Sequence, residues 1–336
     1  MVAVLTPPTD LTDDGLAAAL HRSWGVTAAE LAYRPVGFGS HHWQIVAAEG
    51  TRWFVTVDEL ETKRHSRDEP PSEAFDRLRA SLSAARQLSD LGYPFVVAPV
   101  PTGDGQPLAR EERFGIALYP FVEGRSYGWD EWADAGHRRA VLDLVVAVHA
   151  APAAVRQQAH ADDFGVPHRD ELEATLDAAD DIGDGGPYAR STQELLRTYE
   201  KPLRRQLARY DALVENARAQ PSRTVLTHGE PHPGNTMLSA DGWRLIDWDT
   251  ALVAPPERDL WSLDPGDGSI LDAYADATGE QVLPSMLDLY RVRWDLADIA
   301  VEVSRFRGRH DGSADDTKSW DLLCAQVLAL AEQAAQ

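Results

Sequence analysis

The chain has one cysteine, Cys324, and so cannot close a disulfide within itself. The apolar run around it, LLCAQVLALA, reads as a helix with the thiol in the core. Lysine is scarce too: only Lys63, Lys201 and Lys318 occur, and 32 Lys and Arg face 54 Asp and Glu for a net charge of −22. That imbalance repels phosphate backbones and anionic lipid surfaces, which argues against nucleic acid or membrane as a partner and favours cationic or metal-bridged ligands. Long apolar runs are missing. The best candidate, AVLDLVVAVHAAPAAV, carries Asp143 and His149 and falls short of the roughly 20 residues a spanning helix needs. MVAVLTPPTDLTDD lacks the basic-then-apolar order of a secretory signal, so a cytoplasmic protein is expected. Repeats and low-complexity tracts are also absent. What the chain does have is 336 residues, 43% of them hydrophobic, with ten Trp. That is too much for disorder and more than one compact core usually holds, so a two-lobed unit is expected.

Residues 10–24 space Leu11, Leu16 and Leu20 on a helical period before Gly25. LAYRPV, HWQIVAA and RWFVTVDEL then read as a three-stranded antiparallel meander over 31–60. SEAFDRLRASLSAARQLSDL places Phe75, Leu78, Leu82, Ala85 and Leu88 on one helix face, stopped by Gly92. FVVAPV and RFGIALYPFV read as two further strands. Beyond Gly124 the spacing turns helical over 135–150, 169–181, 188–219, 284–306 and 317–334. It is interrupted by NTMLSA and WRLIDW, which a DG turn joins as a hairpin. The pattern predicts an α+β fold with a β-rich lobe over 1–120 and a mainly helical lobe over 121–336.

The chemistry concentrates in LTHGEPHPGNTMLSADGWRLIDWDTALVAPPERDL, residues 226–260. Gly229, Pro231, Pro233 and Gly234 keep His228, Glu230 and Asn235 on a loop, and Asp247 ends the next strand one hairpin away. Phosphoryl transfer needs such a set: a carboxylate for the attacking hydroxyl, plus an amide and a carboxylate oxygen for a magnesium ion on the nucleotide phosphates. These segments resemble the aminoglycoside phosphotransferase family of the protein-kinase-like fold. Its catalytic loop usually reads HGDxHPGN and its metal-binding strand Ile-Asp-Trp or Ile-Asp-Phe, before a proline and Arg-Asp-Leu. HGEPHPGN, LIDWD and PPERDL stand here in that order. ALYPFVEG resembles the inter-lobe connector, LVVAVHAAP the helix before the loop, and LYRVRWDLADIAVEVSRF a late helix. The likeness spans roughly 30–306 and is nearest the spectinomycin-phosphotransferase-like branch.

The resemblance implies ATP or GTP and Mg2+ as cofactors and a small, possibly cationic, hydroxyl compound as acceptor. Glu230 would act on that hydroxyl, with Asn235 and Asp247 as metal ligands. Gly37, Gly39 and Ser40 would cover the phosphates, and the connector, with Tyr119 and Phe121, would hold the purine. Two positions depart from the family. Glu230 replaces the loop aspartate, moving the carboxylate by about one methylene, and Thr56 stands where the third strand usually carries a lysine. Lys63, or Arg64 or Arg52, is then the candidate phosphate-binding cation, and Glu73 or Asp76 its helix partner. An inactive nucleotide-binding pseudokinase is the alternative reading. Asp249 and a helix face with Trp294, Asp295, Asp298 and Glu302 are candidates for the acceptor. Asp259, with Arg258, is expected to anchor the catalytic loop. GRSYG at 124–128 would in a hydrolase make Ser126 a nucleophile with Asp247 and His310, but no oxyanion segment precedes it. His228, Glu230 and His232 have zinc-like spacing only on a helix, which the prolines forbid.

Overall fold

A computed structural model describes residues 4–177, 185–220 and 223–333. Helix α1 (Asp13–Trp24) starts where the Thr12 hydroxyl accepts the Gly15 N–H, and it ends at Gly25 in the left-handed conformation. Strands β1 (Ala28–Arg34), β2 (His41–Ala47) and β3 (Arg52–Glu59) follow as the expected meander. After helix α2 (Pro71–Asp90) come the three-residue β4 (Ala109–Glu111) and β5 (Phe114–Pro120). They complete an antiparallel sheet ordered β1-β2-β3-β5-β4. Alternating burial turns Trp43 and Ile45 of β2 toward Leu16 and Leu20 of α1. Ala117 of β5 packs with Leu78, Leu82 and Leu88 of α2 instead. Helices therefore lie against both faces of β5, which accounts for its nearly continuous burial.

The chain next forms β6 (Gly124–Ser126), α3 (Ala135–His149), α4 (Ala153–Arg156), α5 (Arg169–Asp177), α6 (Ala189–Thr198) and α7 (Glu200–Ala219). Strands β7 (Val225–Thr227), β8 (Thr236–Ser239), β9 (Gly242–Leu245) and β10 (Leu252–Ala254) follow. The last elements are α8 (Glu257–Leu260), α9 (Ser269–Thr278), α10 (Pro284–Arg307) and α11 (Ala314–Gln333). The predicted hairpin is β8–β9, and β6 joins it as a third strand. Gly124 is needed there, because a Cβ would stand 2.7 Å from the Leu238 carbonyl oxygen. β7 pairs with β10, bracketing the hairpin. Helix α10 runs through the helical part, touching α5, α6, α7, α8 and α11 around Leu289, Leu296, Ile299 and Phe306.

Several expectations are corrected. FVVAPV is not a strand: the Leu245 N–H donates to the Phe95 carbonyl and the Val97 N–H to the Leu245 carbonyl, while the Val100 N–H turns to Leu118. Prolines at 94, 99 and 101 limit regular pairing, and the segment stitches the large sheet to the hairpin instead. The helix read over 188–219 breaks at Tyr199 into α6 and α7. Helix 169–181 is described as far as Asp177, and the rest of that reading lies outside the described residues. Cys324 on α11 is half-buried rather than a core residue. No helix among the described residues is long and apolar enough to cross a membrane.

Candidate active site

The loop between β7 and β8 is fixed from below by one buried carboxylate. Asp259 on α8 accepts the N–H groups of His228 at 2.8 Å and Gly229 at 2.6 Å, and His149 Nε2 of α3 lies 3.1 Å away. Burial alone would raise its pKa, but the hydrogen bond and charge of His149, with Arg258 and His228 behind them, hold it below the usual range. His149 is braced in turn by the Tyr274 hydroxyl at 2.9 Å. Arg258 donates to the Thr227 hydroxyl and the Thr250 carbonyl, both at 2.8 Å. Its guanidinium lies so close to Gly229, at φ +102°, that a Cβ there would stand 2.5 Å from it. Asp259 and Arg258 thus have the anchoring positions expected of them.

His228 is buried and spans the loop. Nε2 bonds the Ile246 carbonyl at 2.9 Å and Nδ1 accepts the Glu230 N–H at 3.3 Å. Burial lowers its pKa, which suits this neutral tautomer. With both nitrogens engaged by backbone, no zinc site forms, and among the described residues no trio of His, Cys, Asp or Glu could hold a metal. The hydrolase trio is not assembled either. Ser126 is exposed on β6, and His310 is engaged by the Tyr188 N–H and the Gly308 carbonyl.

The loop carries the half-buried Glu230 and turns through Pro233–Asn235 into β8. The Asn235 amide nitrogen donates to the Glu230 carbonyl at 3.1 Å, which directs its oxygen the other way, and the Ile246 N–H bonds the Asn235 carbonyl at 3.0 Å. This places Asp247 beside Asn235. Asp247 takes φ +64°, a conformation costing non-glycine residues of order 1 kcal/mol. Fully buried Trp248 secures it, with Nε1 on the Leu245 carbonyl at 3.0 Å. Asp247 is exposed as a residue, yet the atoms crowded around its carboxyl, then the charges of Asp249 and Glu230, push it well up. Asp249 feels the same crowding, but Lys63 outweighs it and holds the group low. Two carboxylates that share a hydrogen bond, close in the chain to Asn235 across the β8–β9 hairpin, are oxygen donors of the kind that could hold a hard divalent cation.

The opposite wall comes from the large sheet. Gly37 and Gly39 sit at φ +76° and +77°, and Ser40 turns its hydroxyl onto Asp58 at 2.6 Å. Lys63 Nζ lies 2.9 Å from Asp58, 2.8 Å from Asp249 and 3.2 Å from the Ser40 hydroxyl. The Tyr119 side chain also faces this cluster: burial, then Asp58, Asp247 and Asp249, raise its phenol well above 10, and it bonds Thr56. The Phe121 N–H is directed to the Arg52 carbonyl at 3.4 Å, and the Arg52 guanidinium covers the Phe121 ring at 4.5 Å. Arg64 is engaged by Glu61 and by loop carbonyls. Glu73 and Asp76, considered as partners for the lysine, are instead exposed on α2, with Asp76 paired to Arg79.

Beyond Glu230, whose charge is felt by both Asp247 and Asp298, the cleft is aromatic. Trp129 packs on His232 at 3.6 Å between ring centres and on Trp294 at 5.1 Å, and Trp261 lies 5.6 Å from Trp294. Asp295 is partly buried beside them, whereas Asp298 accepts from Gln326 of α11 at 2.6 Å and Glu302 is fully buried near Ser319. The acidic stripe therefore turns into the protein rather than toward solvent. Sequence reasoning missed Asp58 and Trp129. The first shares strand periodicity with Thr56, a usable signal; the second leaves no local trace, because its neighbours come from distant segments.

The site belongs to a phosphotransferase on a protein-kinase-like scaffold. Residues 34–294 match the phosphotransferase enzyme family, and the chain is a member of it. Protein StrN of Streptomyces griseus is 32% identical over 247 residues, 70% of this chain and 72% of that protein. Spectinomycin phosphotransferase, solved with ADP and spectinomycin, aligns with a TM-score of 0.71 at 18% identity, covering 97% of this chain and 99% of that one. Macrolide 2'-phosphotransferase MphH of Brachybacterium faecium aligns at 0.51 and 20% identity, over 96% and 98%. At such identities these structures establish the fold.

Proposed function

We propose that the protein transfers the γ-phosphoryl group of ATP or GTP to a hydroxyl of a small amine-bearing alcohol of aminoglycoside or aminocyclitol type. Residues 1–120 would form the nucleotide lobe and 121–336 the catalytic and acceptor lobe. The observation that supports this reading is that the Asn235 amide bonds the Glu230 carbonyl while Lys63 joins Asp249, beside Asp247, to Ser40 of the glycine turn. Glu230 orients the acceptor hydroxyl and takes its proton. Asn235 and Asp247, with Asp249 beside them, would hold magnesium, which would supply charge neutralisation for phosphoryl transfer. Lys63 contributes positive charge to the phosphates, Gly37, Gly39 and Ser40 cover them, and the connector with Tyr119 and Phe121 receives the purine. Trp294, with the partly buried Asp295 beside it, would form an aromatic and acidic wall suited to an ammonium group, while Asp298, bonded to Gln326 of α11, is turned away from it.

The test is incubation with Mg2+ and ATP or GTP against a panel of aminoglycosides, aminocyclitols and hydroxylated amines, reading diphosphate release and acceptor mass. The expected result is an acceptor heavier by one phosphoryl group and a loss of that product in Asp247→Ala. Nucleotide binding without transfer to any acceptor would instead support the pseudokinase reading, which Glu230 and Thr56 motivate.

A further inference from the structure

The third strand turns no free cation toward the phosphates: Arg52, at its start, pairs with Glu123 and covers the Phe121 ring. Thr56 is neutral, and its side chain is taken by the Tyr119 phenol. Lys63 arrives from the loop between β3 and α2, on a long flexible stem that would otherwise sample many rotamers. Two features remove that freedom. The first is Asp58, one strand period beyond Thr56 and only 3% exposed. Its Oδ1 takes both the Lys63 ammonium at 2.9 Å and the Ser40 hydroxyl at 2.6 Å, so one oxygen ties the lysine to the glycine turn. The ammonium lies just beneath that turn, 3.7 Å from where a Gly39 Cβ would be.

The second is the docking of the loop itself. The Arg77 guanidinium donates to the Lys63 carbonyl at 2.7 Å. The His168 N–H donates to the His65 carbonyl at 2.6 Å, Arg67 pairs with Glu171 at 2.6 Å, and Arg67 also reaches the Ser304 carbonyl at 3.4 Å. The last three contacts fasten the loop to the helical part, so the lysine is held from both sides of the cleft. Asp249, the other carboxylate on Lys63, is two residues from Asp247, where a bound cation would compete for it, whereas Asp58 stands on the large sheet with the Ser40 hydroxyl.

We infer that Asp58 is the positioning residue of a phosphate-binding Lys63, the pair replacing a strand-borne lysine and a helix-borne carboxylate. This rests on the phosphotransferase reading and adds the residue that sets the lysine's geometry. Calorimetric titration with magnesium and ATP or GTP, and separately with adenosine or guanosine, tests it. Lys63→Ala is expected to weaken the triphosphate about ten- to hundredfold, the loss of a charge-assisted contact, and to leave the nucleoside unchanged. Asp58→Asn is expected to weaken the triphosphate by roughly three- to tenfold, again sparing the nucleoside, and to have no further effect once Lys63 is alanine. Asp58→Glu, which keeps the charge, should fall between wild type and Asp58→Asn and serves if the asparagine variant does not fold. The inference is overturned if Asp58→Asn or Asp58→Glu leaves triphosphate affinity unchanged or tightens it, or if the effect persists in the Lys63→Ala background. Failure of the wild-type protein to bind either triphosphate is a different result, which removes the phosphotransferase reading itself and this inference with it.

Discussion

Asp295 and Glu302 carry carboxyls that the fold keeps closer to neutral than water does. Burial and then Asp298 push Asp295 up to about 6, against Arg291 and Arg209, and burial foremost pushes Glu302 up to about 7. An acid whose pKa is higher folded than unfolded binds its proton more tightly in the native state. It therefore penalises stability increasingly as pH rises from the unfolded value through the folded one. Asp295→Asn should remove that penalty. Its unfolding free energy relative to wild type, read from urea melts, should rise between pH 4 and 7 and level off above, by about 1 kcal/mol after allowance for solvent screening. An unchanged difference across that range would mean Asp295 titrates normally. A second prediction concerns Gly229. Ala there would need φ +102° and would meet the Arg258 guanidinium, so Gly229→Ala should cost about 1–3 kcal/mol in a urea melt and reduce turnover. Glu230→Asp, which shortens the carboxylate by one methylene in a loop fitted to glutamate, should lower kcat by about a hundredfold.

Among the elements, α8 is one turn long yet positions the β7–β8 loop proposed as catalytic, through Asp259 below and Arg258 beside it. Asp259→Ala would strand the buried N–H groups of His228 and Gly229 and the His149 ring, at about 1–3 kcal/mol each. Chemical denaturation should show a loss of several kcal/mol and assays a large loss of turnover; a small loss in both would mean that Thr250 and Arg258 suffice to anchor the loop. This anchoring could be read in advance because HGEPHPGN and PPERDL are local patterns with fixed polar residues. Helix α2 and the β8–β9 hairpin were legible for the same reason, marked by apolar spacing before Gly92 and by the Asp241-Gly242 turn. The FVVAPV segment was misread because its β-branched residues pack as a strand would while its hydrogen bonds go to Leu245 and Leu118. The break at Tyr199 was hidden because the helical period continues across it. Lys63 was a candidate because lysines are scarce, but its partners were not read: Asp249, 186 residues away, meets it only through tertiary packing, and Asp58, on the strand just before it, is brought back to it by the turn of the loop.

Across the whole molecule, the division near residue 120 separates β-rich from helical sequence and leaves a core of its own on each side, around Trp43 and around Leu296, but a further apolar cluster crosses it. Leu78, Leu82 and Leu88 of α2 pack in one cluster with Val148, Val155, Leu226, Leu245 and Trp248 from beyond that boundary. The hydrogen bonds of Phe95 and Val97 to Leu245 follow the same seam. The apolar face of α2 thus has no complete partner within residues 1–120, and neither side can lose its fold without exposing apolar surface on the other. Both faces of the candidate site border this seam, since Trp248 follows Asp247 directly and Ala117 of the same cluster lies two residues before Tyr119. Equilibrium unfolding of the full chain in urea should accordingly give one transition, coincident by tryptophan fluorescence and far-ultraviolet circular dichroism. Leu88→Ala, which empties a fully buried position in the shared cluster, should shift that single transition by about 2–5 kcal/mol without splitting it. Two separated transitions, with only the earlier one moved by Leu88→Ala, would show instead that α2 and the sheet fold as a unit of their own.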